Sequence, residues 1–227
     1  MMNAHRRSCT VGALFSISFF AVTLVAQEPV TALNRQLARI DFGVSGVGEF
    51  TSNTAGLTYL PQAVSLRPST TLGALVTLRY VKSPLIGGEF NYGYARYTEN
   101  YTTTNTAGSP NNASESKLGV QANISEYTFG YIAHAPRFFG VQPFGGAGGG
   151  VIAFRPTRGG GLGLTTQGGG AFYYTLGAEN LVFGSHFGIR AQFRQLFFAA
   201  PDFKANYFRT NQRTITTEPA IGFFLRF

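Results

Sequence analysis

Few residues in this chain have the side chains for covalent or acid–base chemistry, and their spacing argues against it. Apart from His5 in the basic N-terminal stretch, the histidines are His134 and His186, and the nucleophile adjacent to either is Ser185. Neighbouring residues on a strand point to opposite faces, so Ser185 and His186 do not make a nucleophile–base pair. A histidine beside a turn is ordinarily hydrogen-bonded locally. Two distant histidines and the lone Cys9 offer no metal-ligand spacing, so no metal is expected. Gly148 to Ala153 matches G-x-G-x-x-A, but "VIAFRP" continues as strand instead of opening a helix, so no dinucleotide cofactor is expected either. The chain reads as non-catalytic.

The remaining chemistry is ionic. Asp41, Glu89, Glu126, Glu179 and Glu218, with Arg79, Arg190, Arg194 and Arg226, occupy strand positions opposite apolar ones. Charges withdrawn from water persist when paired, so five acids against four bases predict an enclosed ion-pair network. Such a network either plugs the interior or gates a narrow pore, and the residues leave both readings open.

Those side chains need strands to hold them. Period-two alternation runs through residues 38–50, 70–82, 85–99, 118–135, 138–154, 171–179, 186–198 and 218–227. In the fourth run Val120, Ala122 and Ile124 are apolar at even positions, and Tyr127, Phe129 and Tyr131 at odd ones. A bulge near Ser125 is expected to switch the phase. The connections 51–69, 100–117, 155–170 and 199–212 are long. Those around Ser83-Pro84, Pro136-Arg137 and Phe183-Gly184-Ser185 are short. Long and short alternate without exception, the asymmetry of outer-membrane barrels with extracellular loops and periplasmic turns. The long stretches 51–69 and 199–212 are also where a hairpin could hide and raise the strand count by two. Asn100 to Lys117, rich in Thr, Asn and Ser, is expected to be mobile.

Composition agrees. Charged residues make up 12% of the chain, against about 25% in a typical soluble domain, while Phe and Tyr number 22 and 11. No segment after the N-terminal one supplies the roughly 20 consecutive apolar residues of a spanning helix, which leaves a closed barrel as the membrane solution. Arg6, Arg7 and the apolar run Val11 to Ala26 read as an export signal, residues 1–26, followed by a short periplasmic segment, 27–37, and the barrel, 38–227. The net charge of +8 is dispersed singly, which fits anionic lipid head groups better than nucleic acid.

The chain resembles the OmpA-like family of eight-stranded outer-membrane barrels. The resemblance is carried by "VQPFGGAGGG" (Val141 to Gly150), "GAENLVFGSHFGIRAQFRQ" (Gly177 to Gln195) and the terminal "GFFLRF". It implies an all-β, antiparallel up-and-down transmembrane barrel, embedded in outer-membrane lipid and lipopolysaccharide, with a structural or surface-interaction role. It also implies that Phe223, Leu225 and Phe227 are the signal read by the barrel-assembly machinery. An extracellular ligand would sit on the loops. Two departures stand out: the sequence ends with the barrel, without the family's peptidoglycan-binding domain, and it has no Trp. Tyr80, Tyr92, Tyr94 and Tyr131 would have to form the aromatic girdles.

Overall fold

The computed structural model describes residues 32–58, 62–105, 114–184 and 186–227. The expected export signal, residues 1–26, lies outside the described residues, as does Ser185. A short helix, α1 (Ala32–Leu37), precedes ten strands: β1 (Ile40–Thr51), β2 (Thr54–Leu57), β3 (Ala63–Pro68), β4 (Thr71–Ser83), β5 (Ile86–Asn105), β6 (Ser114–His134), β7 (Gln142–Pro156), β8 (Gln167–Phe183), β9 (Phe187–Ala199) and β10 (Arg213–Arg226). Among the described residues no helix is long and apolar enough to cross a membrane, which says nothing against crossing by strands.

Eight of the strands close on themselves. β1 pairs with β4 and with β10, and β4 through β10 pair in chain order, so consecutive barrel strands are antiparallel neighbours and the closed ring of eight has no edge strand. This is the up-and-down barrel expected from the alternation. The remaining two strands are a hairpin in the first long connection. β2 pairs with β3, and β3 continues along the upper half of β5, with Ala63 opposite Thr104 and Pro68 opposite Glu99. The stretch 51–69 thus hides a hairpin that leaves the barrel at eight strands.

The outward faces are apolar. Phe42, Val44, Leu72, Leu78, Phe129, Phe172, Phe193, Ile221 and Phe223 are all exposed. Tyr80 and Tyr131 share one register row through Gly88, and Tyr92 packs on Tyr127 with ring centres 5.1 Å apart. Of the tyrosines expected in the girdles, Tyr80, Tyr94 and Tyr131 are exposed on the outer wall and Tyr92 is half-buried against Tyr127.

Several expectations are corrected. β6 holds one uninterrupted register against both β5 and β7, with no bulge at Ser125. Within the barrel its even positions point inward throughout: Val120, Ala122 and Ile124 are buried and so are Glu126 and Thr128. What changes at Ser125 is the chemistry of the interior, from apolar to polar. Residues 138–141 are a tight turn, with Phe139 and Gly140 at positive φ, and the strand starts only at Gln142. Strands β8 and β10 are longer than the alternation indicated, because their glycine- and threonine-rich ends pair above the apolar belt. Much of Asn100 to Lys117 is likewise paired strand, extending β5 and β6 past the belt, and only residues 106–113 fall outside the description.

Candidate functional site in the barrel lumen

All nine charged residues singled out by alternation project into the barrel, where they form two tiers. In the lower tier Arg190 joins Asp41 and Glu179 through Nη2, at 3.0 and 2.9 Å. Arg79 donates from Nε to Glu89 at 2.8 Å and lies 3.4 Å from Glu179. Arg226, a quarter exposed at the lower mouth, reaches Glu179 at 2.9 Å and Asp41 at 3.7 Å. Phe144 lies under the Arg79 guanidinium at 4.2 Å and Phe224 under that of Arg190 at 4.6 Å, so the flat faces are covered as well as the edges.

The upper tier is built on one cation. Arg194 Nη1 bonds both Glu126 and Glu218, the latter at 2.6 Å, and Nη2 donates to Thr128 at 3.0 Å. Tyr173 joins the tiers: its ring lies under Arg194 at 4.4 Å and its hydroxyl donates to Glu89 at 2.8 Å. Small residues make the room. A Cβ at Gly130 would overlap the Tyr173 hydroxyl, and one at Gly93 would overlap the Glu126 side chain. The glycine-rich β7 likewise passes close to the backbone of β6, so its match to a nucleotide motif has a packing cause.

No family model matches the chain, and no curated protein matches it in sequence. Solved structures do. The crystal structure of Neisserial surface protein A aligns with a TM-score of 0.53 and 13% identity, over 83% of this chain and 97% of that one. The outer membrane protein OprG from Pseudomonas aeruginosa aligns with a TM-score of 0.50 and 14% identity, over 82% and 95%. The fold is that of the small outer-membrane barrels. At such identities the likeness is one of architecture.

An outer-membrane barrel of eight strands is just wide enough for side chains to fill, and here they fill it. Above the tiers the interior turns apolar. Tyr97, Tyr101, Val120, Ile152, Phe154 and Phe198 are buried from the strands, and Val64 and Leu66 from β3. The last long connection closes the top: it contains a 3₁₀ turn (Asn206–Phe208) and drives Phe203 and Phe208 inward. Phe208 stacks on Tyr101 at 4.0 Å, and the Tyr101 hydroxyl donates to the Pro201 carbonyl at 2.6 Å. Phe203 has φ +49°, a conformation held by Gln167 Oε1, which accepts from the Asp202 and Phe203 amides at 2.8 and 2.6 Å. A cavity of about 10 Å³ lies between tiers and cap, no more than the space of one water.

Two further carboxylates belong to the enclosed set. Glu49 lies on β1 with the parity of Asp41, and Glu99 on β5 with that of Glu89, and both point inward. Adding them makes seven inward carboxylates against four arginines, so the near balance of five and four does not hold. His134 also turns inward, buried 3.6 Å from Glu179, whereas His186 is exposed with Nδ1 2.9 Å from the Arg226 carbonyl. On β5 the outward positions change from Tyr94 to Arg96, Thr98 and Asn100, so Glu99 stands above the apolar belt. Neither of its oxygens has a hydrogen-bond partner, and burial pushes its carboxyl up to about 8. Of the residues assigned to the assembly signal, Phe223 and Leu225 face outward on β10 with Phe227 beyond its end, and the Phe227 amide donates to the Ile40 carbonyl at 3.3 Å.

Proposed function

We propose that the chain is a closed outer-membrane barrel with a structural or surface-interaction role and no catalytic activity, its short turns and both ends of the barrel chain in the periplasm and its hairpins outside. The observation that carries this reading is the continuous filling of the lumen. A solute crossing it would meet the Arg79–Arg190 tier, then the Arg194 tier, then the cap of Phe203 and Phe208. A narrow pore gated by the Arg/Glu network would have to open all three together, which the cap makes the less favoured reading.

In this reading residues 1–26 are a cleaved export signal and 27–37 a short periplasmic segment ahead of the barrel, 38–227. Phe223, Leu225 and Phe227 address the last strand to the barrel-assembly machinery, outer-membrane lipid and lipopolysaccharide surround the belt, and any extracellular ligand meets the paired strands β2–β3 and β5–β6 above the belt. Their strand pairing supports a preformed binding surface.

Single-channel recording of the refolded barrel in a planar bilayer tests the closed lumen. The expected result is silence, and steady openings by the wild-type chain would overturn it. Deletion of Phe227 tests the address: outer-membrane levels in cells should fall, and unchanged levels would count against that role.

A further inference from the structure

We propose that Arg96, Asn123 and Arg155 form a site on the outer wall of the barrel for the phosphate of an outer-leaflet lipid headgroup. This inference rests on the outer-membrane reading above.

The three residues form one row across β5, β6 and β7, because Asn123 is the register partner of Arg96 on one side and of Arg155 on the other. On β5 and β7 the row is where the outward apolar positions end, and on β6 the small Ser125 lies between it and the last of them. Tyr94 gives way to Arg96, Tyr127 lies two outward positions below Asn123, and Val151 and Ala153 lead to Arg155. That height, immediately past the hydrocarbon-facing residues, is where headgroups lie.

The row is also oriented. Asn123 Oδ1 accepts from Arg96 Nε at 2.6 Å and from the Tyr94 hydroxyl at 3.2 Å. Those bonds fix the amide and hold the guanidinium by its inner edge, leaving the terminal N–H groups of Arg96 and the amide of Asn123 as donors. Arg96 and Arg155 are exposed, and among the described residues no carboxylate pairs with either. The wider charge distribution leaves them unneutralised, since only Glu115 and Asp202 of the described carboxylates lie outside the lumen. A planar guanidinium presents two parallel donors to phosphate, and two of them on strands about 10 Å apart can grip a headgroup from both sides.

The test uses the full refolded barrel in three forms: wild type, the double variant Arg96→Gln/Arg155→Gln, and Arg137→Gln in the periplasmic turn. Each is equilibrated with a bis-phosphorylated lipid A or its dephosphorylated counterpart, and retained lipid is read by native mass spectrometry. The double variant should retain on the order of tenfold less phosphorylated lipid. Arg137→Gln should match the wild type, and the dephosphorylated lipid should be held weakly by all three. Equal retention by the double variant, or an equal loss in Arg137→Gln, would overturn the site. Displacement by inorganic phosphate as effective as by the phosphorylated lipid would overturn the lipid headgroup as its ligand. Protease protection in vesicles reports insertion separately, so a chain that fails to insert would refute the outer-membrane reading itself. Heat-dependent gel mobility verifies that each variant has folded.

Discussion

Tyr173 lies beneath Arg194 with the guanidinium carbon 4.4 Å from the ring centre, while its hydroxyl donates to Glu89 at 2.8 Å. One side chain therefore covers the cation of the upper tier and satisfies an anion of the lower one. Tyr173→Phe keeps the first contact and removes the second, and should lower the unfolding free energy in detergent by about 1–2 kcal/mol. Tyr173→Leu should cost more, because it also uncovers Arg194. Identical urea midpoints for the two variants would show that the ring contact contributes nothing.

Arg190 holds two buried carboxylates, so Arg190→Ala leaves Asp41 and Glu179 short of charge and should destabilise the barrel by about 3–5 kcal/mol. Arg158 lies exposed in the third long connection, and Arg158→Ala should stay within about 0.5 kcal/mol of the wild type. Urea titration of both in the same detergent decides the matter, and coincident midpoints would sink the buried-network argument.

Glu99 makes stability pH-dependent. Its folded pKa of about 8 lies above the ordinary 4.5, so the protonated form is favoured in the barrel. The stabilisation is fully present below pH 4.5, falls as pH rises through about 8, and is constant above that. The full span is on the order of 5 kcal/mol. Unfolding measured from pH 4 to pH 9 should show this decline, and Glu99→Gln should flatten it. A wild-type profile that Glu99→Gln leaves unchanged would assign the dependence elsewhere.

The cap depends on Phe208, which is buried and stacked on Tyr101. Phe208→Ala should cost about 3 kcal/mol locally and loosen the connection between β9 and β10. Trypsin should then cut after Lys204 or Arg209 at least several-fold faster, while the strands remain protected. Unchanged cleavage would mean that the cap is held by the Gln167 bonds to Asp202 and Phe203 instead.

Much of this architecture was legible in the chain. Alternation marks a strand because its side chains face opposite sides in turn, so Asp41 between Ile40 and Phe42, or Arg194 between Phe193 and Gln195, reveals which side faces lipid. The same parity turns Glu49 and Glu99 inward. The apparent change of phase near Ser125 has a different cause. Val120, Ala122 and Ile124 are apolar, and alternation alone cannot tell an apolar residue facing lipid from one facing an apolar plug.

Neighbours within a few residues of one another mark the eight barrel strands, the inward side of most of them, the sorting of long and short connections and nine of the enclosed charges. Which charges meet is set by contacts between distant parts of the chain. Arg190 and Asp41 are 149 positions apart and are brought to 3.0 Å by closure of the barrel. The same closure set the division into two tiers, the row of Arg96, Asn123 and Arg155, and the height at which Phe203 and Phe208 enter. Those depend on strand register and on the folding-back of long connections, which are fixed by packing between segments distant in the chain.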